Sequence, residues 1–234
     1  MASASTKWVC SGVSALALVL TVGASSGQRA KAAEMAFTVT IEQLTTEQTL
    51  KLPDGSSTRA PISPGIAVVH NGANPLFTVG EPASAGLQRI AEAGQPEDLI
   101  AAMQSAPGVS ATVMFERTDT FAVHARPGEM LTFATMFGQS NDCFYAPKGG
   151  DIALFDQGGK PIMGERMVEV VLYDAGTEMN QEPGVVPDQG PRQDPMTWRQ
   201  GELEHATVQP VRDAWAYPPT AEVIRVTVSP TKSS

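Results

Sequence analysis

The sequence predicts an all-β protein, an antiparallel β-sandwich carrying a short helical hairpin insertion. Three observations lead there. Seven short segments are rich in β-branched residues or alternate apolar with polar ones. Gly, Pro, Asn and Asp punctuate them, as turns between antiparallel strands require. Only residues 83–106 place their apolar side chains at helical spacing.

The N-terminus reads as an address. Lys7 is followed by an apolar run at 9–22 and then by small residues, the three-part form of a secretory signal at residues 1–32. Cleavage after Ala24 and cleavage after Ala32 both fit, the latter because Ala30-Lys31-Ala32 follows the small-x-small rule. The run falls short of the roughly 20 apolar residues that a spanning helix needs, and no later segment reaches that length. Cys10 lies before the end of the run, where a lipid-modified cysteine would not stand. The mature chain, one domain at 33–234, is therefore expected outside the cytoplasm, as a secreted or periplasmic protein or one associated with the cell surface.

Phe37-Thr38-Val39-Thr40-Ile41 alternates and opens the sheet. Residues 52–64, rich in Pro, Ser and Gly, form a loop before a strand at 66–69. In the helical interlude, segments 83–93 and 96–106 put Leu87, Ile90, Leu99, Ile100 and Met103 on apolar faces. Ala83 or Ser84 opens the first helix, Gly94 closes it, and Pro96 suits the first turn of the second, with Glu97 and Asp98 near its N-terminus. This pair is expected to cover one end or edge of the sheet. Strands follow at 109–115, 120–125, 130–136, 168–172 and 223–228. The irregular stretch 174–200 holds Pro183, Pro187, Pro191 and Pro195, and a loop of that length is either mobile or held by something.

Charge narrows the partners. Removing residues 1–32 takes away Lys7, Arg29 and Lys31 and no acid, so the formal charge moves from −9 to −12. A phosphate backbone would repel such a chain, which argues against nucleic acid. Between Asp142 and Glu204 twelve acids face five basic residues, a bias that suits a bound cation or a solvated acidic surface.

Only Cys143 remains after cleavage, so no intramolecular disulfide forms, and it reads as a small buried hydrophobe. His70, His124 and His205 lack metal-ligand spacing: His70 suits a turn or capping role, His124 a structural one in a strand, His205 a solvated one. No Gly-x-Ser-x-Gly elbow or phosphate loop is present. Trp198, Trp215 and Tyr217 read as core or loop anchors rather than a sugar-stacking platform. The chain is expected not to be an enzyme.

Tyr173-Asp174-Ala175-Gly176-Thr177-Glu178, with Ser140-Asn141-Asp142 upstream, gathers hard oxygen donors around a glycine turn. A calcium ion wants about six to eight such oxygens. An ordinary acidic turn has the same look, and spacing alone does not separate the two readings.

The order of several segments resembles the spondin N-terminal domain in the form found in exported bacterial proteins. Pro61-Ile62-Ser63-Pro64-Gly65-Ile66-Ala67-Val68-Val69-His70 is similar to the family's early turn and strand. Pro75-Leu76-Phe77-Thr78-Val79-Gly80-Glu81-Pro82-Ala83-Ser84-Ala85-Gly86-Leu87 is similar to its helical entry. Phe133-Ala134-Thr135-Met136 with Ser140-Asn141-Asp142 resembles the segment bearing the first metal-binding acid. Val171-Leu172-Tyr173-Asp174-Ala175-Gly176-Thr177-Glu178 resembles the second, and Asn180-Gln181-Glu182-Pro183-Gly184 continues it.

The resemblance spans residues 37–228 and implies a C2-like antiparallel β-sandwich with Ca²⁺ at one edge, held by Asp142, Asp174 and Glu178. Two departures stand out: Glu178 where animal members tend to carry Asp, and Cys143 where an aromatic commonly follows the first acid. It further implies an adhesion or extracellular interaction module that recognises a protein or glycan outside the cell or on its surface. The alternative is a carbohydrate-binding or metal-assisted hydrolytic protein on a similar sandwich.

Overall fold

A computed structural model describes residue 1 and residues 33–194 and 196–231. The expected secretory signal therefore lies, Met1 apart, outside the described residues.

The first half of the chain forms β1 (Met35–Gln43), β2 (Leu50–Lys51), β3 (Ser57–Thr58), β4 (Ile62–His70), α1 (Ala85–Ala93), α2 (Glu97–Met103) and β5 (Val109–Phe115). Then come β6 (Asp119–Ala125), β7 (Met130–Phe137), β8 (Cys143–Pro147), β9 (Ile152–Ala153), β10 (Arg166–Met167) and β11 (Val170–Asp174). After a long excursion the chain closes with β12 (Gln209–Pro210), the single-turn α3 (Thr220–Val223) and β13 (Ile224–Pro230).

Alternation decides β1: Phe37, Val39 and Ile41 are buried on one face while the residues between them are partly exposed. β1 pairs antiparallel with β13 and β6, and β10 completes a four-stranded sheet in the order β10-β13-β1-β6. The second sheet runs β12-β11-β8-β7-β4-β5, with β9 beside β7. The two sheets enclose the main core, in which Phe37, Ile41 and Val226 meet Ala67, Phe133 and Tyr145. The molecule is thus an antiparallel β-sandwich, as the strand pattern predicts.

The helical hairpin lies elsewhere than expected. It covers the outer face of the larger sheet rather than an end or edge: α1 packs on β7 and β8, and α2 on β5 and β4. Leu87, Ile90 and Leu99 there form a second core with Ile66, Val68, Ala134, Phe144 and Tyr173. The reason is visible in the strands beneath. β7 and β8 are buried on both faces, so their outward side chains need a cover as apolar as themselves. The caps follow the sequence: Ser84 Oγ accepts from the Leu87 N–H at 3.2 Å, and Gly94 ends α1 at φ +66° with its N–H on the Ile90 carbonyl. Pro96, expected in the first turn of α2, stands one residue before it at the N-cap position and makes no side-chain cap.

β8 escapes the pattern of alternation for the same reason, since Cys143-Phe144-Tyr145-Ala146-Pro147 is buried throughout. Its register matters for the site. β8 pairs antiparallel with β11 so that Cys143 lies opposite Asp174, which brings the turn before β8 against the end of β11.

Candidate metal centre

Asp142 ends the β7 to β8 turn. Ser140 shapes that turn: its hydroxyl donates to the Phe137 carbonyl at 2.7 Å and accepts from the Cys143 N–H at 3.0 Å. The Asp142 side chain, fully buried, then points under the segment after β11. Its Oδ2 accepts from the Thr177 N–H at 2.7 Å, the Thr177 hydroxyl at 3.1 Å and the Glu178 N–H at 3.0 Å. Its Oδ1 is buried without a hydrogen-bond partner.

Asp174, the last residue of β11, has both oxygens engaged. Oδ1 accepts from the Gly176 N–H at 2.6 Å and Oδ2 from the Asn180 amide at 2.5 Å. The turn needs its glycine, because Gly176 sits at φ +69° and a Cβ there would lie 2.8 Å from the Ala206 carbonyl carbon.

Glu178 joins the group through its backbone N–H on Asp142. Its buried carboxylate turns toward Gly201, whose N–H donates to Oε1 at 3.0 Å, while Oε2 has no partner. A side chain at Gly201 would collide with that second oxygen.

The electrostatics are those of crowded, desolvated acids. Burial, reinforced by Asp174, raises the Asp142 carboxyl well above the ordinary range, and the hydrogen bonds from Glu178 and Thr177 only partly oppose it. Burial also raises Asp174, with Glu204 and Asp213 adding to the effect against the Gly176 hydrogen bond. Glu178 is pushed up to about 8 by burial first and by Glu92 next, with Asp142 and Asp188 contributing. Glu92 on α1 is absent from the residues that the sequence singles out. It is fully buried, burial raises it too, and the apolar Leu87-Ile90-Ala91 face beside it is the available signal.

The structure thus brings Asp142, Asp174 and Glu178 around one turn. In donor type the set suits a hard cation, since two of the three carboxylates carry a buried, unpartnered oxygen. In position it is open: among the described residues no three His, Cys, Asp or Glu side chains converge as metal ligands.

The long segment after β11 is held by the protein itself. Residues 176–179 run antiparallel to 202–206 through Ala206 N–H to Gly176 O, Glu204 N–H to Thr177 O and Met179 N–H to Glu202 O. Buried Gln189 braces its middle, accepting from the Gly184 N–H and donating to the Glu182 carbonyl. The Arg89 guanidinium lies 4.4 Å over the Trp198 ring, and Gln193 donates to the Glu92 carbonyl, so α1 grips the far end. A cavity of about 300 Å³ opens beside the turn, lined in part by Gln88, Thr177, Arg199, Glu204 and His205.

The remaining candidates fall outside this site. His70 is not a turn cap: it is buried, with Nε2 3.0 Å from Asp151 Oδ1, because the last residue of β4 faces the interior beside the turn holding Asp151. His124 lies outward on β6, and His205 is exposed. Cys143 is buried and donates its thiol to Asn180 Oδ1 at 3.3 Å. Trp215 donates its indole N–H to the Asn180 carbonyl, and Tyr217 packs on Phe137 and donates to Asp213. These rings serve as anchors within the fold.

No protein-family model matches this chain, and a search of curated proteins gives no match either.

Proposed function

We propose that the chain is an exported, non-enzymatic β-sandwich that binds Ca²⁺ through Asp142, Asp174 and Glu178 and acts as an extracellular interaction module of the spondin-like kind. The observation that carries the reading is Asp142. Its carboxylate is fully buried, one oxygen accepts three hydrogen bonds, and the other has no partner while a second acid stands close by. A bare buried carboxylate is costly, and a cation is the ligand that relieves several of them together. The partner is a protein or glycan met outside the cell or at its surface. The acidity of the chain disfavours nucleic acid, and no helix among the described residues is long and apolar enough to cross a membrane.

Calorimetric titration of the chelator-treated mature protein with Ca²⁺ tests the centre, beside Asp142→Asn, which keeps an acceptor for the Thr177 and Glu178 N–H groups. The parent is expected to bind with a dissociation constant of about 10⁻⁴ to 10⁻³ M, the range of extracellular modules. The Asp142→Asn variant should bind at least about tenfold more weakly, a loss of about 1.4 kcal/mol. A parent that gives neither heat nor thermal shift with Ca²⁺ sinks the reading.

A further inference from the structure

The chain holds four asparagines, Asn71, Asn74, Asn141 and Asn180, and the fold ties down three of them. Asn74 reaches Thr132, Gly150 and Asp151 through its amide nitrogen and accepts from the Leu76 and Phe77 N–H groups. Asn141 is buried and accepts from the Gln181 N–H at 3.2 Å. Asn180 donates to Asp174 and accepts from the Cys143 thiol. Asn71 is exposed, and its side chain makes no hydrogen bond among the described residues.

The residue that follows each asparagine sharpens the contrast. Asn71 is the one asparagine with glycine after it. Gly72 stands at φ +90° in open space, and its N–H makes no hydrogen bond among the described residues. Asn74 precedes Pro75, whose nitrogen has no proton to lose, and the Gln181 N–H after Asn180 is already engaged by Asn141. The turn itself is anchored on both sides: the Asn71 N–H donates to the Gly108 carbonyl at 2.9 Å, and His70 and Asn74 both bond Asp151. Between these anchors residues 71–73 lie exposed, the setting in which a backbone amide moves most freely.

We propose that Asn71 is a site of spontaneous covalent modification, at which the Gly72 backbone nitrogen closes on the Asn71 side chain and water then converts the amide to a carboxylate. In the first step a bond forms from Gly72 N to Asn71 Cγ, the Cγ–Nδ2 bond breaks, and the proton lost by the Gly72 nitrogen leaves with Nδ2 as ammonia. In the second step water opens the cyclic imide. Attack at Cγ breaks the new bond and leaves aspartate, whereas attack at the Asn71 main-chain carbonyl breaks its bond to Gly72 N and leaves isoaspartate, the chain then running through Cγ. The balance is amide plus water to carboxylate plus ammonium, and the formal charge of the mature chain moves from −12 to −13. Asp54-Gly55 shares the glycine but not the reactivity, because Ser56 donates to Asp54 Oδ1 from its N–H and its hydroxyl and keeps that side chain a charged carboxylate, a poor centre for attack. The site owes nothing to the calcium reading.

The test is to age the folded mature protein in mildly alkaline buffer and follow it by isoelectric focusing and peptide mass spectrometry. A more acidic form should accumulate, faster than in mildly acidic buffer because the attacking nitrogen must lose its proton. Fragmentation of the tryptic peptide 60–89, which contains both Asn71 and Asn74, should place the amide-to-acid mass gain on Asn71 at least several-fold ahead of Asn74, with Asn141 and Asn180 equally slow. Ageing in heavy-oxygen water should add one heavy oxygen there, and isoaspartyl methyltransferase should label the same peptide.

The denatured chain supplies the reference. Conversion of Asn71 in the folded protein should keep pace with it to within several-fold, while Asn141 and Asn180 should speed up on unfolding. Asn71→Gln should remove the early acidic form. A parent that stays unmodified, a mass gain spread evenly over the four asparagines, strong protection of Asn71 by the fold, or an acidic form that persists in Asn71→Gln would each overturn the proposal.

Discussion

Glu178 combines opposed demands on adjacent atoms. Its N–H draws it to the Asp142 carboxylate, while its own carboxylate is buried near Glu92, Asp142 and Asp188. Apart from the Gly201 N–H, the groups facing it are largely acids. The charge therefore acts against the fold, and the direction of the pH effect follows. A carboxyl raised in the folded state binds more protons there than in the unfolded chain, so stability falls as pH rises between the two values. Its contribution is full below the ordinary Glu range and is lost as pH climbs through about 8; Asp142 and Asp174 shift in the same sense. In chelator, the melting temperature should decline between about pH 5 and about pH 9, and saturating Ca²⁺ should raise it more at the alkaline end. A fluorimetric melting series at fixed ionic strength checks this, and a flat chelated profile would remove acid crowding from the account. At this scale the sequence shows Asp142, Asp174 and Glu178, because hard donors beside a glycine turn have a recognisable chemistry. Glu92 stays hidden in a helix whose pattern is read for its apolar positions, where an acid between Ala91 and Ala93 passes as a solvated residue.

Among the elements, periodicity exposes those that keep one face toward water. β1, β6 and β13 follow their predicted segments closely because one side of each strand is more open to water, which enforces alternation. β8 gives no such signal, and the paired two-residue strands β2 and β3 are too short to give any. The segment after β11 shows the limit from the other side: proline and glycine content marks it as irregular but does not say what holds it. Gln189 supplies much of that hold. It is fully buried, and its Oε1 accepts from the Gly184 N–H at 2.8 Å and the Arg192 guanidinium at 2.6 Å while its amide donates to Glu182 O at 2.9 Å. Gln189→Ala leaves those groups unpaired, at about 1–3 kcal/mol for each that water cannot reach. The loss should be local, because the sandwich strands do not depend on Gln189. Limited proteolysis should then cut within residues 182–194 at least several-fold faster than in the parent, with little change in the melting temperature. Equal cleavage rates would show that the segment is braced by other contacts.

At the scale of the whole molecule, the larger sheet is a wall between two cores. One core lies between the sheets, and the other lies under the helical hairpin, where the rings of Phe77, Phe144 and Tyr173 pack on one another in one cluster with Leu87, Ile90 and Leu99. The candidate centre borders the second side, since α1 holds the segment after β11 through Arg89 and the Glu92 carbonyl and β8 and β11 begin and end beside Asp142 and Asp174. Stability and ion binding should therefore be linked through one core and not through the other. Leu87→Ala and Ile41→Ala make the comparison. Both side chains are fully buried, the first beneath α1 and the second between the sheets, and each truncation should destabilise by about 2–5 kcal/mol depending on how far its surroundings collapse. Chemical denaturation gives that number for each. Calcium titration of the folded variants then separates them. Leu87→Ala loosens the helix that grips the segment after β11 through Arg89 and the Glu92 carbonyl and should weaken Ca²⁺ binding, whereas Ile41→Ala should bind as the parent does. Equal affinities in both variants would mean that the ion is seated by the β8 and β11 turns alone, and that the helical cover over the sheet serves the core without serving the site.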